Sequence, residues 1–220
     1  MKWKQQIKEI WEREKWIWAA ATIVGLVFSL IFGAYWSKGY LQMVQNGISA
    51  KVVRFHVLAN SDSSADQALK LAVRDRVLAE FGVRMERCAS KEETLRVLSL
   101  SREEIGGVAA EEIREQGYDY PVRVSVVREE FPLKRYDTLT FPAGVYDALR
   151  IEIGEAKGQN WWCVLYPRMC FVDASLGDTA EESYQRLENT LTEEEYLVVS
   201  AMGQEELLPK LKLKLLELWE

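Results

Sequence analysis

Between Lys15 and Lys38 the chain carries no charged residue, WIWAAATIVGLVFSLIFGAYWS, and no other feature restricts its folding as much. The part from Trp16 to Trp36 makes a helix of about 32 Å at 1.5 Å per residue. That length crosses the roughly 30 Å hydrocarbon core of a bilayer, where a helix satisfies its own backbone polar groups. Trp16 and Trp18 at one end and Tyr35 and Trp36 at the other place amphipathic rings at headgroup depth. Lys2, Lys4, Lys8, Arg13 and Lys15 precede the run, and only Lys38 and Lys51 follow it closely. The positive-inside bias therefore puts the N-terminus in the cytoplasm and the chain beyond about residue 40 outside. The run exceeds the ~7–15 apolar residues of a secretion signal, and no A-x-A-like site follows it closely. An uncleaved anchor is the preferred reading, with Gly33 and Ala50 the small residues where a signal sequence would otherwise be cut. Ala21, Gly25, Ser29 and Gly33 form a small-xxx-small stripe, read as chance in an Ala/Gly-tolerant span rather than as a helix-pairing seam.

The expected organisation is a basic cytoplasmic N-terminus over 1–15, a transmembrane helix or signal sequence over 16–37 and a tether over 38–50. One extracytoplasmic domain over 51–220 follows. Charge supports the boundary, since residues 1–39 are net +3 and the remainder net −9. An acidic domain is a poor match for phosphate backbones, so nucleic acid is not an expected partner. One histidine, His56, excludes H-E-x-x-H zinc sites and leaves a catalytic triad a single base. Nothing matches G-x-G-x-x-G or G-x-x-x-x-G-K, and Gly106-Gly107 lies in a helical stretch, so neither cofactor nor small-molecule substrate is expected.

The domain reads as α+β, an antiparallel sheet with packed helices. KVVRFHVLA (51–59) is β-branched and apolar, a strand. Asn60 to Ser64 form a polar break in which Ser63 or Ser64 caps a helix over 65–81, with Leu69, Ala72, Val73, Val77 and Phe81 on one face and Gly82 as its stop. Ser90 with Glu93, and Ser101 with Glu104, are capping boxes for two further helices ending near Gly117. VRVSVV (122–127) and GVYDALRIEI (144–153) alternate as strands. Gly154, Gly158 and Asn160 then suggest a hairpin-like connection into WWCVLY (161–166). In the acidic C-terminal third, Asp178 caps a helix to about Leu187, Thr192 and Glu195 form another capping box, and 207–219 is Leu-rich.

Few constellations carry chemistry. Cys163 and Cys170 flank Pro167, whose turn can bring the sulfurs to disulfide range; a nucleophilic Cys163 or Cys170 served by His56 is the competing reading. Cys88 is expected to be a small buried residue. Asn60, Asp62, Ser64 and Asp66 alternate oxygen-bearing side chains, but Ala65 and Leu71 stand where a calcium loop needs Gly and Glu, so turn and cap bonds explain them and no metal is expected. Asp137-Thr138-Leu139 lacks the glycine of an aspartic-protease motif. Alternation sends Trp161 and Trp162 to opposite faces, so one can fill the core while the other anchors a partner.

FHVLANSDSSADQALKLAVRDRVL (55–78) and FPAGVYDALRIEIGEAKGQNWWCVLYPRMCFVD (141–173) resemble the stage II sporulation protein R family of endospore-forming bacteria. One departure is Pro167-Arg168, where the family leads one to expect two prolines. The resemblance implies a signal rather than a catalyst: a protein made in the forespore and exported between the two membranes. There it triggers a membrane-embedded aspartic protease of the mother cell, which processes the sigma-E precursor. The expected binding face comprises Asn60, Ser61, Asp62 and Asp66, then Lys70 and Arg74 of the following helix, and Trp161, Trp162 and Asp173. The alternative is a membrane-anchored hydrolase or thiol enzyme using Cys163 or His56.

Overall fold

The computed structural model describes residues 2–170 and 180–201, with only the backbone described at 2, 4–13, 86 and 180. Asp173, Asp178, Phe171 and the Leu-rich 207–219 segment lie outside the described residues. Two compact units divide the chain, Met1–Met43 and Val44–Glu220. Helix α1, Lys2–Lys51, makes up the first and contributes its last turns to the second. The described residues include one helix long and apolar enough to cross a membrane, with a mean hydropathy of 2.2 over its best window and none of that window buried. Phe28 is 70% and Leu30 73% exposed, which suits a lipid surround and not water.

The expected tether over 38–50 is helical instead. No proline interrupts it, and Val44 and Ile48, four apart, supply an apolar stripe that the domain buries to 5% and 0% exposure. Lys91 Nζ donates to the Ser49 carbonyl at 2.6 Å, and Lys51 pairs with Glu195 at 2.6 Å.

Strand β1 is Val53–Leu58, followed by α2 (Ser64–Glu86), α3 (Lys91–Leu100) and α4 (Arg102–Glu115). Then come β2 (Val122–Phe131), a short hairpin of β3 (Lys134–Tyr136) and β4 (Leu139–Phe141), β5 (Gly144–Ile153), β6 (Asn160–Tyr166), α5 (Ala180–Thr190) and α6 (Glu193–Ala201). Side-chain caps set the starts of α2, α3 and α6. Ser63 Oγ accepts from Asp66 N, Ser90 Oγ from Glu93 N, and Thr192 and Glu195 exchange both bonds of a capping box. Ser101 makes no such bond; its N–H closes α3 onto Val97 O, so α4 starts directly where α3 ends. Gly82 does not stop α2, which runs on to Glu86 because Phe81 and Met85 keep its buried stripe going. Gly117, at φ 83, does end the α4 segment as expected.

The α+β class stands, and the four-stranded sheet is mixed, in the order β2-β5-β1-β6. β1 and β5 are parallel, with Phe55 opposite Leu149, while the β2–β5 and β1–β6 pairs are antiparallel. The expected hairpin between β5 and β6 is therefore absent: β1 lies between them. β1 is buried along its length, which suits a central strand better than an edge. One sheet face packs Val53, Phe55, Val57, Leu149, Ile151, Cys163 and Leu165 against Leu69, Val73, Val77 and Phe81 of α2, Leu98 of α3 and Ile105, Ala109 and Ile113 of α4. Each such large side chain contributes roughly 1.5–3 kcal/mol by leaving water.

Candidate functional site

The polar break after β1 and the glycine-bearing loop after β5 form one unit. Asn60 Oδ1 accepts from Glu155 N at 2.9 Å, Asp62 Oδ1 from Gln159 N at 2.7 Å, and Ala59 O from Gly158 N at 2.9 Å. Two glycines permit this approach. Gly154 has φ +59 and lies against the Asn60 side chain, and a Cβ at Gly158 would overlap the Ser61 carbonyl. Asp66 Oδ2 accepts from Asn60 Nδ2 at 2.9 Å and Ser61 Oγ at 2.5 Å. These donors, Ser61 foremost, hold the Asp66 carboxyl below the usual carboxylate range. Lys70, 5% exposed, donates to Gln159 O at 3.0 Å and Gln67 Oε1 at 2.5 Å, and burial pushes its ammonium down.

Turn and cap bonds thus engage Asn60, Asp62 and Asp66, three of the four residues that invited a calcium reading. Asp66 and Lys70 face inward and shape the loop, whereas Asp62, Glu155, Lys157 and Gln159 are its exposed surface. Sequence reasoning missed Glu155, Gln159 and Gln67; the closely spaced Gly154 and Gly158 were the signal, since two glycines in a short loop mark a close backbone approach.

Asp66, Lys70 and Arg74 repeat every four residues along one side of α2, towards the start of β6. Arg74 reaches Trp161, its guanidinium 4.8 Å from the ring centroid, and Trp161 meets Phe55 edge-on at 5.6 Å. Trp162 goes to the opposite face, as alternation requires. It stacks on His56 at 4.9 Å and 9°, with Phe131 edge-on at 4.8 Å and Lys134 Nζ 5.7 Å above it. Both tryptophans are half-buried, so neither is the wholly exposed anchor that alternation alone allowed. Seven of the nine expected binding residues come together, Asn60, Ser61, Asp62, Asp66, Lys70, Arg74 and Trp161; Trp162 stands apart and Asp173 lies outside the described residues.

Cys163 and Cys170 form a disulfide with Cα atoms 5.6 Å apart, and Cys88 is a buried free thiol raised by its burial. His56 is 2% exposed, with Nε2 2.5 Å from Glu129 Oε1. Burial, the largest influence, pushes its imidazole below the ordinary histidine range, with Glu129 opposing. His56 pairs with Trp162 and Phe55 with Cys163, so His56 and Cys163 project from opposite faces of the sheet. A Cys163–His56 couple cannot form in this register. Asp137 occupies the β3–β4 turn at φ 49 and accepts from Tyr184 Oη at 2.7 Å, a turn residue and not half of an acid dyad.

A family model described as "Stage II sporulation protein R (spore_II_R)" matches residues 49–176, more than half of the chain. The chain belongs to the stage II sporulation protein R family. It is similar to the stage II sporulation protein R of Bacillus subtilis (strain 168), 38% identical over 135 residues that make up 61% of this chain and 60% of that protein. The chain thus spans about 60% of the length of the curated relative it matches. No solved structure matches. The matched region contains both locked loops, Trp161, Trp162 and the disulfide, and family membership makes this a sporulation protein.

Proposed function

We propose that the chain is an exported sporulation signal that activates a membrane-embedded aspartic protease of the mother cell, which then processes the sigma-E precursor. The domain acts in the space between the forespore and mother-cell membranes. Membership of the stage II sporulation protein R family carries this reading. The apolar N-terminal helix and the disulfide support it, since the first suits membrane targeting and the second an oxidising compartment. The contact surface is the locked loop pair with the adjoining Arg74–Trp161 stack, a rigid face that binds with little ordering cost. Activation follows if this face binds the active state of the protease more tightly than the inactive one.

The test is co-expression of the full chain with the candidate protease and the sigma precursor in a host lacking other sporulation proteins. Precursor cleavage that depends on the chain is the expected result; none from a folded, exported chain overturns the reading. A His56→Phe chain separates the signal from the enzyme alternative, because a signal keeps its effect without an imidazole.

A further inference from the structure

The two edges of the four-stranded sheet are finished differently. At β6 the chain turns back, Met169 N donating to Val164 O at 3.1 Å, and the Cys163–Cys170 bridge closes that turn. At the other edge β2 runs from Val122 to Phe131, long for a strand, and pairs with β5 without a bulge. Among the described residues no strand pairs with its outer side. No proline interrupts it, although edges of this kind are usually shortened, bulged or broken. Gly154 N donates to Pro121 O at 2.8 Å, which fixes the alternation. Odd-numbered residues turn their backbone groups to β5, and Val122, Val124, Val126, Arg128 and Glu130 turn theirs outward.

We propose that this edge pairs with the same edge of a second copy of the chain, antiparallel about a two-fold axis at Val126. Opposed residues of an antiparallel pair share a face. Centred on Val126, Arg123 faces the partner's Glu129, and symmetry repeats that ion pair. Moving the axis to Ser125 or Val127 sets Arg123 against Val127 or Phe131, and moving it to Arg128 sets that arginine against its own copy. Of these registers the Val126 one alone opposes unlike charges. Arg123, with a side chain 76% exposed, is free to reorient from its 3.4 Å contact with Glu152, and it would join a Glu129 carboxylate that already pairs with His56 and, at 3.2 Å, with Arg150 of its own copy.

Helix α4 supplies an independent observation. Gly106 and Gly107 sit inside it, where each weakens a helix relative to alanine. A Cβ at Gly107 would meet nothing, and one at Gly106 only the Val124 side chain at an ordinary 3.7 Å. The fold of one copy therefore requires neither glycine. Gly106 lies over Val124, the residue that the partner's Arg128 faces, so a helix without side chains there leaves room for that arginine.

Single cysteines in the full-length chain, in its membrane and with Cys88→Ser in the background, test the register. Mild oxidation should dimerise Val126→Cys, because a hydrogen-bonded antiparallel pair holds its Cα atoms about 5.5 Å apart, within disulfide reach. Val124→Cys and Arg128→Cys should not cross-link alone but should do so when co-expressed. Arg128→Pro removes an outward N–H and leaves the β5 ladder intact, so it should cut Val126→Cys dimer yield by roughly tenfold. Equal cross-linking at all three positions, none at Val126, or capture of a different protein by Val126→Cys would each overturn the proposal.

Discussion

The two faces of the central sheet solve burial in opposite ways. Towards α2, α3 and α4 the strands present Phe55, Val57, Leu149 and Ile151, and the helices answer with Leu69, Val73, Val77 and Ile105. Such a face needs only apolar area and close packing. Behind it the same strands present Arg54, His56, Glu129 and Arg150. Arg54 is fully buried, with its guanidinium 4.9 Å from the Phe131 ring, 5.3 Å from Phe141 and 5.2 Å from Tyr146, and with Nη2 donating to Tyr136 Oη at 3.0 Å. Burial lowers its pKa while the neighbouring tyrosines oppose the shift. Aromatic faces stand where a carboxylate would be expected. One strand can thus hold a helix layer on one side and a cation enclosed by rings on the other, and the second arrangement depends far more on individual residues.

Denaturant unfolding of Arg54→Ala should show the largest effect, a loss of roughly 3–5 kcal/mol from the cavity and the lost ring contacts. Arg54→Met should lie within about 1.5 kcal/mol of the parent, because an apolar chain of similar volume is often an adequate substitute for a buried ion. If Met costs as much as Ala, the charge itself holds that face together. On the helix side, Cys163→Ala with Cys170→Ala should cost about 2–3 kcal/mol through the short loop that the bridge closes. The His56–Trp162 stack should survive it, with unchanged tryptophan fluorescence as the sign. Asp66→Ala should cost about 1–3 kcal/mol by stripping acceptors from Asn60 and Ser61, and faster amide exchange at Glu155 and Gln159 would show the loops parting.

The smallest effect is pH-dependent. His56 takes a proton less readily folded than unfolded, so the unfolded state gains protons first as pH falls. Stability from this residue is full above about pH 6.5 and declines below it. Melting temperatures at about pH 7.5 and 5.5 should differ less for His56→Phe than for the parent. An undiminished difference would assign the acid sensitivity to another group.

The helix face was legible because its signals are local. The Leu69–Phe81 stripe, the Ser63 cap and the Ser90 and Thr192 boxes each lie within a few residues of sequence. The other face was not, since Arg54 and His56 read as polar interruptions of a strand, and the hairpin that supplies Tyr136 and Phe141 has strands of only three residues. Pairing was the other gap. Leu58 meets Glu152 in parallel across an intervening stretch of three helices and three strands, and no periodicity records that distance. Gly154 and Gly158 were correctly read as a turn, but one that packs on the loop after β1 and does not close a hairpin. Asn60, Ser61, Asp62, Asp66, Lys70, Arg74 and Trp161 could be grouped from their motifs; that Trp162 stands apart on the other face, and that Asp66 and Lys70 point inward, required the fold.

The last turns of α1 set a limit on maturation. Val44 and Ile48 lie in the domain interior, the Ser49 carbonyl receives Lys91 beside α3, and Lys51 holds Glu195 of α6. A peptidase cutting after Ala50 would remove a core element together with the leader, and the released product would lose two buried aliphatic side chains. A cut compatible with a folded product falls before Val44. The boundary between the two compact units thus lies inside a continuous helix, several residues ahead of residue 49, where the family model's match begins.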